Sequence, residues 1–198
     1  MSTPLILSSQ TFPTIRLTLV TKLPFDQVLA NLYREIGDPS EAKIGQILAG
    51  IKSFDKESLQ TFEGAVNDAV GEHGFMIFNE YNHGRWTPLY QVGEYQKTRR
   101  IVLGNPLKAI TMLKQDSRAG LAVPVEILVL ENSRDGGTQI VWNLPSSLVV
   151  GGELENEALT KAAKFLDVSL EKLLKFVAED GFAEGQINGE TKSLRTNL

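Results

Sequence analysis

The segment VEILVLENSRDGGTQIVWN, Val125–Asn143, decides the fold class. Its first part, Val125–Leu130, is almost entirely apolar, which is typical of a central strand that is covered on both faces. Asp135-Gly136-Gly137 is a turn signal, and Thr138–Asn143 then predicts a second strand. Because antiparallel strands can be joined by so short a turn, the segment predicts a β-hairpin.

Three further strands are predicted outside this hairpin. Thr14–Val20 alternates polar and apolar residues, Phe75–Tyr81 is aromatic and β-branched, and Arg99–Leu103 is a short strand pattern. Helical patterns cluster before and after the strands, and the strict βαβα alternation of a doubly wound fold is absent. The sequence therefore predicts an α+β fold, with a mixed or antiparallel sheet of about five strands and helices packed on one face.

Apolar residues at helical spacing predict the helices that cover the sheet. These patterns run between Pro24 and Gly37, from Asp38-Pro39 to Ile51, from Leu59 to Val70, and onward from Asn105-Pro106. Pro24, Pro39 and Pro106 near the start of a pattern, and Gly37 and Gly71 just after the end of one, are typical helix boundaries.

A long C-terminal helix is predicted from a seam of apolar residues spaced alternately by four and three positions: Leu159, Ala163, Leu166, Leu170, Leu173 and Val177. Two arrangements fit this seam, a helix laid across the sheet and a helix packed against another subunit. Residues 183–198 are poor in apolar residues and lack a period, which predicts a disordered tail after a single domain over residues 1–182.

Composition excludes several classes of chemistry. The chain has 198 residues, no cysteine and a net charge of −4. The lack of cysteine removes disulfides, cysteine zinc sites, iron–sulfur clusters and thiol nucleophiles, and it fits a reducing compartment. No apolar run reaches the roughly 18 residues of a membrane span, and Met1–Gln10 lacks a signal-peptide pattern. We therefore expect a cytoplasmic protein without a membrane partner, and the acidic balance disfavours nucleic acid.

Four pieces of the sequence carry a family resemblance: GFMIFNEYNH (Gly74–His83), VLGNP (Val102–Pro106), AGLAVPVEILVLEN (Ala119–Asn132) and TQIVWNLPS (Thr138–Ser146). In this order they resemble the family catalogued as domain of unknown function 302, with a family-like core over residues 74–146. The resemblance implies a compact α+β domain that is often paired as a homodimer. It implies no mechanism, because no catalytic residues are assigned to the family as a whole.

The sequence departs from the family pattern around its histidine. Asn82 precedes His83 where the family usually has aspartate, and the loop up to Lys97 is enlarged. The helical segment Pro39–Ile51 is an addition. These departures favour a specialised ligand.

The loop from His83 to Tyr95 is the candidate site. His83 could act as a general acid or base, Arg85 or Tyr90 could hold a developing oxyanion, and Trp86 could stack on a planar ligand. Glu80 and Tyr81 precede the loop as candidate ligand-binding residues, but they point to opposite faces of their strand. The structural alternative is a histidine that caps a turn within a loop clasped by aromatic residues.

Two more residues are candidate ligand contacts, each with a structural alternative. Asn105 precedes a helix whose start could bind an anion, although an ordinary helix cap explains it equally. Arg99 belongs with Lys97 and Arg100 to a basic stretch that could attract anions or simply protect a strand edge. His73 is expected to cap a helix end. No spacing supports a metal site, so we expect neither metal nor cofactor.

Three functions remain open on these grounds. The first is a domain that binds a small, partly apolar organic molecule in a pocket near the loop over residues 83–95. The second is a cofactor-free isomerase, lyase, cyclase or hydrolase that uses His83 for acid–base chemistry. The third is a protein-interaction module that uses the C-terminal helix seam.

Overall fold

The structure is a computed structural model that describes residues 9–91, 96–132, 136–151 and 156–179. Its five strands are β1 (Arg16–Thr21), β2 (Met76–Asn82), β3 (Thr98–Gly104), β4 (Val125–Asn132) and β5 (Gly137–Asn143). Its described α-helices are α1 (Phe25–Ile36), α2 (Ile44–Ala49), α3 (Lys56–Ala69), α4 (Pro106–Leu113), α5 (Pro145–Val149) and α6 (Glu157–Ala178). The predicted tail, residues 92–95 of the predicted site loop and Asp135 of the predicted turn lie outside the described residues, and the single domain stays a prediction.

The strands form one sheet in the order β1-β5-β4-β3-β2, and every neighbouring pair is antiparallel. The register places Leu17 beside Trp142, Trp142 beside Ile127, and Ile127 beside Ile101. These directly opposed residues share one face of the sheet. Because α1 and α6 bury that face, the predicted α+β fold with helices on one face is confirmed.

The prediction that β4 is covered on both faces is wrong. β4 is the middle strand, and Ile127 and Val129 are buried on the helix side. On the opposite face Glu126 is exposed, and Leu128 is only half-buried between Val141 and the side chain of Arg100. An antiparallel sheet needs only one covered face, and the neighbouring strands already shield Leu128 in part.

The seam of α6 packs inside the chain. Its predicted members are all buried in the core together with α1 and the sheet: Leu159, Ala163, Leu166, Leu170, Leu173 and Val177. The helix laid across the sheet is therefore confirmed, and the alternative of a seam that meets another subunit is wrong. A helix of this length shows its buried side in the sequence because the apolar period matches the helical turn.

The segment after α1 is divided more finely than its sequence predicts. Gly37 ends α1 at φ 90°, a left-handed conformation that favours glycine. Asp38 then caps a short 3₁₀ helix, Pro39–Glu41, before the separate six-residue helix α2. None of the α2 residues is buried, and Val66 is the only buried residue of α3. These two helices are thus attached to the domain with little shared core.

His73 does not cap the end of α3, as its position had suggested. The helix ends at Ala69, and His73 lies beyond it. The His73 Nδ1 atom lies 2.8 Å from Glu35 Oε2 in α1, and the ring packs against that of Phe176 in α6, with the centroids 4.5 Å apart and the planes tilted by 40°. His73 therefore connects two helices of the core, because the chain turns back toward β2 before the histidine is reached.

Candidate functional site

A cavity of about 650 Å³ lies between α2, α3, α4 and one end of the sheet. Its wall is predominantly apolar and is formed chiefly by side chains from six elements: Ile44, Leu48, Leu59, Phe62, Phe78, Leu107, Ile110, Met112, Leu113, Val125 and Leu166. The volume is in the range of cavities that hold small organic ligands. Since the wall offers few polar groups, the cavity suits a mainly apolar molecule.

Two local features of the strands shape the floor of this cavity. A register shift between Ile77 and Asn79 in β2 marks an irregularity at Phe78, whose side chain lines the cavity. Gly104 ends β3 beneath it, and a Cβ atom there would lie 3.1 Å from Pro124 Cβ and 3.5 Å from the Phe78 ring. A side chain at position 104 would therefore have to displace Pro124 by a few tenths of an ångström, whereas glycine leaves room for this close packing.

The mouth of the cavity is apolar and open to solvent. Leu48 and Leu59 are both 53% exposed, and Ile110 is 41% exposed, although all three line the cavity. Exposed apolar surface costs roughly 25 cal/mol per Å² relative to burial. A contiguous apolar patch of this kind is typical of a binding site.

Among the described residues of the predicted site, only Asn105 lines the cavity. Its Oδ1 atom accepts a hydrogen bond of 2.8 Å from the backbone N–H of Leu107, and its Nδ2 donates to the carbonyl of Gly74 at 3.1 Å. The helix-cap interpretation of Asn105 is confirmed, and these bonds fix the start of α4 against the floor of the cavity.

Two charged residues of the wall were missed by the sequence analysis. Glu63 lies on α3, and Lys114 follows the last residue of α4. Both are exposed, and neither side chain has a hydrogen bond or ion pair with another described residue. Single charges on helical segments give no distinctive sequence signal, because most such charges are simply solvated.

The predicted histidine site forms an aromatic row on the surface. The ring of His83 meets Trp86 edge-on at 5.9 Å, and Trp86 meets Tyr90 in the same manner at 6.3 Å. Trp86 is 49% exposed and Tyr90 is 73% exposed. Arg85 is exposed beside them. The aromatic contacts within the loop, which the structural alternative predicted, are therefore present. The catalytic roles of His83, Arg85 and Tyr90 stay predictions.

Glu80 and Arg99 form a second cluster on the helix-covered face. Arg99 Nε lies 3.0 Å from Glu80 Oε1, and both side chains are largely buried. The hydroxyl of Tyr33 in α1 donates to the other carboxylate oxygen of Glu80. Burial, followed by the bond to Glu80, raises the pKa of the Tyr33 phenol well above its usual range. Tyr33 was missed because its position on α1 resembles that of any core-facing residue.

Tyr81 faces the opposite side of the sheet. The guanidinium of Arg100 lies 5.4 Å from the Tyr81 ring centroid, and Arg100 Nε donates to Glu126 at 3.0 Å. The expectation that Glu80 and Tyr81 cannot share one pocket is confirmed. The predicted site residues are thus distributed over four places, and ligand binding by Glu80, Tyr81, Trp86 and Arg99 stays a prediction.

Lys108 forms part of the packing next to the cavity. Its Nζ atom lies 4.2 Å from the ring centroid of Phe75 and 5.8 Å from that of Phe165. The ammonium group also donates to the carbonyl of His73 at 3.1 Å. Burial lowers the pKa of Lys108. This cation therefore joins α4 to α6 through aromatic contacts.

In the part of the chain that the structure describes, no three histidine, aspartate or glutamate side chains lie close enough together to hold a metal ion. Among the same residues, no helix has the length and apolar character needed to cross a bilayer.

Fold and cavity together define an α+β domain with one antiparallel sheet, helices on a single face and an apolar cavity at one end. The family model "Domain of unknown function DUF302" matches residues 52–177, which is more than half of the chain. The chain therefore belongs to this family. The match begins after α2, so the wall formed by α2 lies outside it.

A solved structure supports the fold assignment. The crystal structure of an uncharacterized conserved DUF302 protein from Bacillus stearothermophilus aligns with a TM-score of 0.54 and 15% sequence identity. The alignment covers 82% of this chain and 97% of the other. At this identity the similarity establishes the fold alone. No curated protein matches the sequence.

Proposed function

We propose that the protein binds a small, mainly apolar organic molecule in the cavity between α2, α3 and α4. The observation that carries the proposal is the cavity itself, at about 650 Å³ and with a mostly apolar wall. Cavities of roughly 300–1,000 Å³ with few polar groups are the usual sites for such ligands. The proposed pocket is therefore at the end of the sheet and not at the loop that follows His83.

The half-exposed leucines at the mouth provide the driving force. A ligand that covers Leu48 and Leu59 removes apolar surface of both protein and ligand from water. Each methylene group buried in this way contributes about 0.8 kcal/mol. Several such groups are needed to offset the loss of translational and rotational freedom on binding. The expected ligand is consequently a molecule with an extended apolar part.

A neutral fluorescent probe tests this proposal. N-phenyl-1-naphthylamine should bind the protein with enhanced fluorescence and a saturable isotherm. Ala109→Phe places a ring in the cavity, because Ala109 belongs to its wall, and should weaken probe binding at least about tenfold, or about 1.4 kcal/mol. Ala49→Phe is the matched control, since Ala49 is exposed on α2 and lies outside the wall.

The proposal fails if the wild-type protein does not bind the probe. It also fails if Ala109→Phe binds as well as Ala49→Phe while circular dichroism shows that both variants are folded.

We further propose a homodimer in the cytoplasm. The open face of the sheet supports the dimer, because Val20 is 62% exposed there and Leu128 is only half-buried. The absence of cysteine supports a reducing compartment. Light scattering after size exclusion tests the dimer, with Leu128→Lys expected to give a folded monomer. A wild-type monomer at all accessible concentrations would contradict it.

A further inference from the structure

We infer that the ligand of the cavity is an amphiphile with a zwitterionic head group. Its apolar tail would occupy the cavity, and its head group would lie at the mouth between Glu63 and Lys114. The inference rests on the proposed function and adds the chemical class of the ligand.

Opposite charges stand on two different helical segments that bound the cavity. Glu63 belongs to α3, Lys114 follows α4, and both line the cavity while they remain exposed. Among the described residues of its wall, they are the only two that carry a charge. Among the described residues neither has an ion-pair partner, so their charged groups are more than 4.0 Å apart. The mouth thus presents a separated positive and negative group.

Some opposite charges on different elements of the described structure approach each other closely. Lys97 Nζ lies 2.6 Å from Asp26 of α1, and Arg99 Nε lies 3.0 Å from Glu80. Glu63 and Lys114 differ from these pairs because an apolar cavity is bounded by the segments that carry them. Both charges are therefore available to a molecule that enters the cavity.

The charge of the head group follows from electrostatic complementarity. An anionic head group is attracted by Lys114 and repelled by Glu63, while a cationic head group meets the reverse arrangement. A head group with both signs satisfies both residues at once. The tail then contacts the apolar wall beneath them, as in other sites where a few polar groups orient a mainly apolar ligand.

Zwitterionic amphiphiles come from two chemical sources, a phospholipid-like head group and a long-chain α-amino acid. Dodecylphosphocholine represents the first and 2-aminododecanoic acid the second. Dodecanoate, dodecyltrimethylammonium and 1-dodecanol carry similar tails with anionic, cationic and neutral head groups. All five are used below the concentrations at which they form micelles, and each is titrated against the protein loaded with N-phenyl-1-naphthylamine.

At least one zwitterion should displace the probe at a concentration about tenfold lower than dodecanol does. Glu63→Gln and Lys114→Gln should each remove that advantage and leave dodecanol unchanged. The control variants Glu57→Gln and Lys56→Gln alter exposed charges of α3 outside the wall, and they should retain the full preference. The tighter of the two zwitterions identifies the source, and equal affinity supports the shared chemistry.

Equal displacement by all five amphiphiles would overturn the inference and leave the proposed function standing. A preference for dodecanoate or for dodecyltrimethylammonium over both zwitterions would overturn it in the same way. If neither the probe nor dodecanol binds, the proposed function fails, and the inference fails with it.

Discussion

Replacement of Leu173 by alanine should destabilise the protein by about 3 kcal/mol. Leu173 has no exposed surface and lies in the core on the buried side of α6. The substitution removes three carbon atoms, worth about 0.8 kcal/mol each, and the cavity left behind adds to this loss. Measured costs of such substitutions span about 2–5 kcal/mol. For a chain of 198 residues, this corresponds to a fall in Tm of about 6–12 °C.

Val168→Ala on the same helix is the matched control. Val168 is 51% exposed, so its truncation should change the free energy of unfolding by less than about 0.5 kcal/mol. Urea unfolding of both variants and the wild type is followed by circular dichroism at a low and a high protein concentration. The placement of the seam in the core is refuted if Leu173→Ala costs no more than Val168→Ala. A cost that depends on protein concentration would also refute it, because such dependence indicates a subunit interface.

Three further predictions concern polar groups. Asn105→Ala removes the cap of α4 and should lower the free energy of unfolding by about 1 kcal/mol, measured as a fall in Tm of about 2–4 °C. An unchanged Tm would contradict the stabilising role of this cap. Tyr33→Phe removes a donor to a carboxylate and should cost about 1.5–3 kcal/mol at neutral pH. Because the folded pKa of Tyr33 is raised, this contribution should persist up to about pH 10 and decline above it, so a pH-independent difference in unfolding free energy would argue against the bond. Burial raises the pKa of Asp167, so the folded state favours the protonated carboxyl group. The contribution of this group to the free energy of unfolding is therefore fully present below about pH 3.9 and is lost as pH rises through the folded pKa. Asp167→Asn should weaken the pH dependence of the unfolding free energy, measured by urea titrations between acid and neutral pH. A pH profile identical to that of the wild type would show that Asp167 does not cause this dependence.

Regular periodicity made the framework of the fold predictable. The hairpin of β4 and β5 and the buried seam of α6 follow from local patterns that indicate which side of an element is apolar. The same patterns do not indicate what packs against the other side. Leu128 looks like a core residue in the sequence, yet it is on the open face of the sheet.

The candidate site was less predictable because its parts are distant in the sequence. The apolar stripe of α2 and α3 resembles any core-facing stripe, and the sequence does not show that Leu48 and Leu59 border a cavity. The pairing of Arg99 with Glu80 depends on the register of β2 against β3, which brings Glu80 beside Ile101 and Asn82 beside Arg99. Strand register between segments separated by an irregular loop is set by tertiary contacts.

Under the proposed function, the shallow attachment of α2 and α3 would separate ligand choice from folding. Only Val66 of these two helices contributes a buried side chain, while the hydrophobic core draws on α1, α6 and the sheet. Gly45 and Gly64 have open space where a side chain would begin. Substitutions along α2 and α3 can therefore accumulate at little cost to the free energy of unfolding, and under the proposed function they would alter what the cavity accepts while the domain beneath stays the same.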